Sequence, residues 1–154
     1  MRRNDRKVSD IMGIKEIVNK ADVCRIAIAN NNTPYMVTMN FGYVDVPEFR
    51  LYFHCANEGR KLDMIQINDF ICFEMDAEHQ ISRGIKGCDW GMSYSSVIGY
   101  GNISVVSDTE ERRMGLNCIM MHYGGEGEYI YDEKMLDKTT ILRLDIKEIT
   151  GKKC

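Results

Sequence analysis

The chain has 154 residues, of which 44% are hydrophobic and 28% charged, and we expect one globular domain over residues 1–154 with its own hydrophobic core. The net charge of −3 and the pI near 5.6 argue against a protein that binds nucleic acid or an anionic membrane surface by general electrostatics. No apolar run approaches the roughly 20 residues of a membrane-spanning helix, and no secretory signal is recognisable behind the basic N-terminal residues, so we expect a cytoplasmic protein.

The first third of the chain alternates between turn residues and short apolar runs. Ser9 is a candidate cap for a helix that carries an apolar pattern from Ile11 to Val18. The run VCRIAIA, the polar turn NNNTP and the run YMVTMNFGYV predict a β-hairpin that pairs residues 23–29 with residues 35–44. A second turn leads into a strand over residues 50–55.

The remainder continues this mixed pattern with strands in the majority. We predict a helix over residues 59–68, a strand over 70–76, a long connection over 78–94 and a strand over 95–106. A capping box at residues 107–110 opens a helix whose apolar stripe we assign to the core, and an alternating strand follows from residue 139. Strands dominate, several helices are short, and the strands near the N-terminus are joined by tight turns, which favours an antiparallel sheet or barrel with peripheral helices.

The six cysteines form no CxxC pair, and their spacing to histidines is not that of zinc ligands. In a cytoplasmic chain such cysteines are usually free thiols, many of them buried. We therefore expect neither disulfides nor a metal site.

The corner YFHCANEGRKLDMI contains the clearest candidate site. Alternation places Leu51 and Phe53 on one face of the strand and His54 on the other. Gly59 permits close approach of the backbone, and Arg60 and Lys61 then fall in the first turn of a helix, where positive charge opposes the helix dipole. A phosphate bound at this helix end would resolve the conflict, whereas a solvated pair of cations on an exposed helix is the alternative.

Two other segments have the composition of ligand-binding strands. In PYMVTMNFGY, Thr38 and Asn40 alternate with apolar residues, as expected either for contacts to a ring system or for the wet side of a half-buried strand. In WGMSYSSVIGYGNI, two glycines share a face of the strand beside Ser95 and Ser96, which suits a flat ligand or a sharp bend of the strand.

In combination these motifs resemble the pyridoxamine 5′-phosphate oxidase-like FMN-binding split-barrel superfamily. The order P-x-x-V-x-x-N-F-G-Y, L-Y-F-H-x-A-x-x-G-R-K, C-x-W-x-M-x-Y-x-S-V-I-G-x-G and I-T-G-K-K is most similar to that of the nitroimidazole-resistance (Nim)-related flavoproteins. The resemblance implies a mainly β fold, a six-stranded antiparallel Greek-key split barrel with peripheral helices. It also implies a homodimer with FMN at the subunit interface.

The resemblance further assigns roles to individual residues. His54, Cys55, Ala56, Gly59, Arg60 and Lys61 would hold the FMN phosphate. Val37, Thr38, Met39 and Asn40 would lie along the isoalloxazine ring, and Ser95, Ser96 and Val97 would contribute from a second strand, of the same subunit or of its partner. His54 is the candidate catalytic residue. Relatives usually carry proline at the position of Thr38 and a small residue at that of Cys55, which leaves the orientation of the substrate open.

The function implied is an FMN-dependent oxidoreductase that reduces a small electrophile, a nitro compound or a quinone, with electrons from NADH or NADPH. Oxidation of pyridoxamine phosphate itself is not expected, since the substrate residues of that enzyme are not recognisable in the sequence. Two alternatives stay open: a flavin-binding or redox-sensing module without turnover, and a haem-binding split barrel with His54 or His122 as axial ligand.

Overall fold

The computed structural model describes residues 3–127 and 129–154 of the chain. Within this part, eight strands form one antiparallel sheet, and four α-helices pack around it. The elements in chain order are β1 (Lys7–Val8), α1 (Ile11–Lys20), β2 (Cys24–Asn30), β3 (Thr33–Met39), β4 (Phe41–Val44), β5 (Arg50–Ala56), α2 (Arg60–Ile67), β6 (Phe70–Ser82), β7 (Gly91–Val105), α3 (Thr109–His122), α4 (Glu133–Asp137) and β8 (Thr139–Lys153).

The order of the strands shows that the sheet curls. Its path runs β3-β2-β6-β7-β8-β5-β4, and β1 pairs separately with β8. The two strands at the ends of this path, β3 and β4, are consecutive in the chain and are separated by Asn40 alone. The two edges of the sheet must therefore meet at Asn40, and the sheet has a seam at this residue.

The prediction of an antiparallel, mainly β fold is confirmed, but the sheet has eight strands where six were expected. One reason is that residues 35–44 do not form a single strand. Met39 pairs with Cys24 of β2, whereas Phe41 pairs with Phe53 of β5, so the chain changes partners at Asn40. The other additional strand is β1, which is only two residues long.

The long connection predicted over residues 78–94 is largely strand. After an irregularity between Ala77 and Gln80, β6 and β7 pair again from Gln80–Ser93 to Ser82–Gly91, and residues 83–90 connect the two strands. Residues 80–82 are exposed, so this part of the hairpin has no apolar alternation by which it can be recognised in the sequence.

Two helices begin one residue later than predicted. Asp10 caps α1 in place of Ser9, and Asp108 caps α3 in place of Ser107. In each case the aspartate carboxylate accepts a hydrogen bond from a backbone N–H three residues on, at 2.7 and 2.8 Å. A carboxylate at this position also interacts favourably with the positive end of the helix dipole, unlike a hydroxyl.

The apolar stripe predicted on α3 belongs only partly to the core. Ile119 is buried, but Met114, Met120 and Tyr123 are exposed. Helix α3 packs on the sheet through its small residues instead. A Cβ added to Gly115 would lie 2.9 Å from the ring of Tyr52, so the close approach of helix and sheet requires glycine here.

The hydrophobic core lies inside the curled sheet. Alternate residues of the strands, among them Ile26, Phe53 and Phe73, are fully buried there, and α1 covers one end with its apolar face. A second, smaller cluster of Tyr52, Val106 and Ile141 lies beneath α3. The predicted alternation along β5 is confirmed. No helix of the described residues is both long and apolar enough to span a membrane.

Candidate functional site

An open cleft lies at the seam of the sheet, where the ends of β3 and β5 meet α2. Its volume is about 420 Å³. Most of the residues that line it were assigned to the site from the sequence. The lining consists of Thr38, Met39, Asn40, His54, Cys55, Ala56, Lys61, Lys138 and Thr139.

One wall of the cleft follows from the change of partners at Asn40. Met39 is buried with only 6% of its surface exposed, so it anchors the end of β3 in the core. Thr38 and Asn40 point away from the core and are exposed. The chain thus presents two polar side chains and the adjoining backbone along the cleft.

The opposite wall is the corner between β5 and α2. Gly59 has φ +134°, a conformation that residues with a Cβ rarely adopt, and no atom lies within 4 Å of the position that a Cβ would occupy. Gly59 is the N-cap residue of α2, and no side chain accepts a hydrogen bond from the first N–H groups of this helix. The N–H groups of Leu62 and Asp63 donate to the Gly59 carbonyl, whereas those of Arg60 and Lys61 have no side-chain cap and can donate to an anion.

The two cations at this helix end are oriented differently. Lys61 is half-buried and lines the cleft. Arg60 lies at the rim, where its guanidinium carbon is 4.8 Å from the centroid of the Tyr35 ring. A guanidinium stacked in this way keeps its N–H groups available at the edge, so it can still bind an anion at the helix terminus.

His54 and Cys55 lie side by side at the end of β5 and differ in environment. The His54 side chain is exposed in the cleft. Cys55 is half-buried, and burial raises the pKa of its thiol, while the charge of Lys61 acts in the opposite direction. Cys55 is thus a neutral wall residue, and His54 is the group of this pair suited to proton transfer.

Lys138 and Thr139 complete the cleft and were not identified from the sequence. Thr139 pairs with Ala56 in the β5–β8 ladder, which brings the start of β8 against the corner. Lys138 is the C-cap residue of the short helix α4. The only available sequence signal was a lysine just before a predicted strand, which does not indicate its spatial neighbours.

The remaining predicted site residues do not line this cleft. Val37 packs against the core, and Gly59 and Arg60 adjoin the cleft at its helix end. Ser95 and Val97 are fully buried, and the Ser95 hydroxyl donates a hydrogen bond to the Glu78 carboxylate at 3.0 Å.

Ser96 lies on the other, outward face of β7, in the same cross-strand row as Asp76 and Lys152. The β7 segment is therefore separate from the cleft.

His122, a candidate axial ligand, lies elsewhere. Its ring packs on Phe41 with centroids 4.2 Å apart, and its Nε2 is 2.8 Å from the carbonyl oxygen of Ala21. This nitrogen is engaged in joining α3 to the end of α1. Among the candidate haem ligands, only His54 lies in the cleft.

Comparisons with known proteins agree with this architecture. The sequence profile of a family described as "Pyridoxamine 5′-phosphate oxidase" matches residues 13–153. A candidate 5-nitroimidazole antibiotic resistance protein from Bacteroides thetaiotaomicron has a similar structure, with TM-score 0.82 and 29% identity over 95% of this chain and 85% of that one. Comparison with the curated proteins gave no significant match.

Two more distant structures share the fold. The flavocytochrome Anf3 from Azotobacter vinelandii has TM-score 0.83 and 18% identity, over 100% of this chain and 72% of that one. The FAD and heme binding protein from Mycobacterium smegmatis has TM-score 0.82 and 15% identity, over 96% of this chain and 73% of that one.

Proposed function

Because the chain belongs to the pyridoxamine 5′-phosphate oxidase family, we propose that it is an FMN-binding split-barrel flavoprotein and an oxidoreductase. Its substrate is a small electrophile, a nitro compound or a quinone, and NADH or NADPH is the electron donor. The similarity to the candidate nitroimidazole resistance protein, at 29% identity over most of both chains, supports this choice of substrate.

One observation carries the proposal: the cleft reaches the N-terminus of α2, where no side chain caps the first N–H groups. The residues present fit a phosphate at this point, since free N–H groups of α2, the backbone of Gly59 and the side chains of Arg60 and Lys61 are all donors. Among the described residues, no carboxylate lines the cleft. The segment from Thr38 to Asn40 would hold the polar edge of the ring system.

FMN supplies electron transfer between a donor and an acceptor when it is bound, and the protein supplies binding, orientation and protons. His54 is the proposed proton donor to the reduced substrate, because histidine is the side chain most often used as a general acid and His54 is exposed in the cleft. Met39 and Cys55 provide the apolar part of the lining.

We also propose a homodimer in which a second copy covers the cleft. The outward face of the sheet carries exposed apolar side chains, with 66% of Met36, 49% of Phe70, 46% of Ile98 and 42% of Tyr100 exposed. Apolar groups gathered on one sheet face are typical of an interaction surface.

This face is continuous with the cleft. The cross-strand row from Thr38 through Arg25, Glu74 and Ile98 to Thr150 runs over the outward face from the cleft wall. A copy seated on it would form another wall of the cleft and would bring Ser96 of the partner subunit near the bound ring.

The first test is the absorption spectrum of the purified protein, followed by titration of the apoprotein with FMN and with FAD. We expect flavin bands and tighter binding of FMN than of FAD. Rapid mixing with NADH or NADPH and then with a nitroaromatic compound should reduce and reoxidise the flavin. Tight binding of FMN without turnover would favour a redox-sensing module, and a Soret band in place of flavin bands would indicate haem.

Two variants test the assigned roles. His54→Asn should retain FMN affinity and lose turnover, and unchanged turnover would exclude His54 as proton donor. Ile98→Glu should convert the dimer into a monomer with weakened FMN binding, measured by light scattering and fluorescence titration. Val46→Glu, which changes a residue 78% exposed on a turn, is the matched control and should leave the dimer intact.

A further inference from the structure

Lys138 is the second lysine of the cleft, and the proposed phosphate site does not account for it. It lies at the junction between α4 and β8, and its side chain lines the cleft together with Lys61 and His54. Within the described part of the chain, neither Lys138 nor Lys61 forms an ion pair. Two unneutralised ammonium groups around one cleft repel each other unless anions are bound there.

Arg112 of α3 holds the turn that carries Lys138 from one side. Its Nη2 donates to the carbonyl oxygens of Leu136 at 2.6 Å and of Thr139 at 3.0 Å. These carbonyls flank Lys138 in the sequence, so the backbone on both sides of the lysine is tied to the same guanidinium. The N–H of Lys138 itself bonds within the turn, to the carbonyls of Leu136 and Met135.

Asn57 holds the same turn from the side of the corner. Its Nδ2 donates to the carbonyl oxygen of Asp137 at 2.6 Å, and its Oδ1 accepts from the Thr140 hydroxyl at 2.8 Å. Asn57 lies in the loop between β5 and α2, two residues before Gly59. The backbone that carries Lys138 is thus tied directly to the loop of the proposed phosphate site, while the lysine side chain itself is exposed at the cleft.

The balance of charge indicates what Lys138 binds. A phosphate monoester carries a charge of about −1.5 to −2 at neutral pH. Arg60, Lys61 and the positive end of α2 together neutralise such a group. Lys138 then remains as an excess positive charge in a cleft without carboxylates among its described lining residues.

We propose that Lys138 binds an anionic group, a carboxylate or phosphate, of the molecule that meets the flavin in this cleft. The identification of that molecule as an electron acceptor or donor rests on the function proposed above. Binding of the anion depends only on Lys138 and its fixed turn. The cleft therefore selects an anionic partner over a neutral one of the same shape.

The test compares 4-nitrobenzoate with its neutral analogue 4-nitrobenzamide by isothermal titration calorimetry of the FMN-loaded protein, without electron donor. The unsubstituted protein should bind the anion more tightly. Lys138→Ala should weaken binding of 4-nitrobenzoate about threefold and leave 4-nitrobenzamide unchanged, as expected for loss of one ion pair at an exposed lysine. Lys138→Arg should restore most of the affinity. Lys134→Ala removes an exposed lysine of α4 that does not line the cleft and should have no effect.

A parallel titration with NADH identifies the source of the anion. An effect of Lys138→Ala on NADH but not on 4-nitrobenzoate assigns the anionic group to the donor. Equal binding of both nitro compounds, together with unchanged NADH affinity in Lys138→Ala, would overturn the inference. A loss of FMN affinity in Lys138→Ala would also overturn it, because Lys138 would then belong to the phosphate site.

The two proposals fail in distinguishable ways. If the protein binds no flavin, the proposed function is wrong, and the same titrations on the flavin-free protein still report whether Lys138 binds an anion. If FMN binds and turns over while Lys138→Ala behaves as the unsubstituted protein with every anion, only the inference about Lys138 is wrong.

Discussion

Replacement of Lys61 by alanine should have opposite effects on FMN binding and on the stability of the apoprotein. Lys61 lies in the first turn of α2 and lines the cleft. A positive charge there opposes the helix dipole, so its removal should stabilise the flavin-free protein by about 0.3–1 kcal/mol. In a domain of this size, that corresponds to a rise in melting temperature of about 1–4 °C.

The same substitution removes a charge-assisted hydrogen bond to the phosphate. Such a bond contributes about 1.5–3 kcal/mol, and because Lys61 is only half-buried we expect the lower end, which corresponds to about tenfold weaker FMN binding. Fluorescence titration measures the affinity, and thermal unfolding of the apoprotein measures the stability. Lys147→Ala removes the same charge from an exposed position on β8 outside the cleft and controls for the change in net charge.

The result that would refute this reasoning is a Lys61→Ala protein that melts at a lower temperature without flavin and binds FMN as tightly as its parent. Lys61 would then stabilise the fold, and the anion site at α2 would be wrong. If both variants weakened FMN equally, the effect would come from the overall charge of the protein and not from the helix terminus.

Three further changes test the packing around the site. Gly42→Ala places a Cβ against the backbone of α3 and should destabilise the protein by about 1–3 kcal/mol in denaturant unfolding. Gly87→Ala is the control, because open space surrounds this position, and it should change stability by less than about 0.5 kcal/mol. Burial and the hydrogen bond to Glu111 raise the pKa of Tyr52 from 10.0 to about 12, so stability that is fully present below pH 10 should be lost as pH rises toward 12. Tyr52→Phe should abolish this alkaline loss, and a parallel decline in both proteins would show that other groups cause it. Asn57→Ala removes both hydrogen bonds from Asn57 to the α4–β8 turn. Hydrogen exchange should show reduced amide protection in this turn, with little change in global stability. Unchanged protection would show that Arg112 alone holds the turn.

Several features of the fold and the site follow from the sequence because they depend on neighbours along the chain. Alternation along residues 50–55 was sufficient to separate the face of β5 that lies in the main core, with Leu51 and Phe53, from the face that carries His54. Gly59, Arg60 and Lys61 are consecutive, so their placement at one helix end required only that the helix begin there. The order of motifs along the chain was sufficient to predict the family.

Other features depend on which strands become neighbours, and local patterns do not contain that information. The break at Asn40 was not predicted, because Met39 and Phe41 keep the same inward alternation while their pairing partners change from β2 to β5. The hairpin at residues 80–93 was missed because its exposed strands have no apolar face.

The sequence by itself determined the strand-rich class, the helix end suited to an anion and the family of this protein, since each depends on residues close together in the chain. Only the tertiary structure decided where the cleft lies and which side chains complete it. Lys138 and Thr139 reach the corner because β8 pairs with β5, and Ser95 is excluded from the cleft because its hydroxyl is buried on the inner face of β7. Pairing between strands distant in the sequence is set by the packing of the whole sheet, and that packing brings the second lysine into the site.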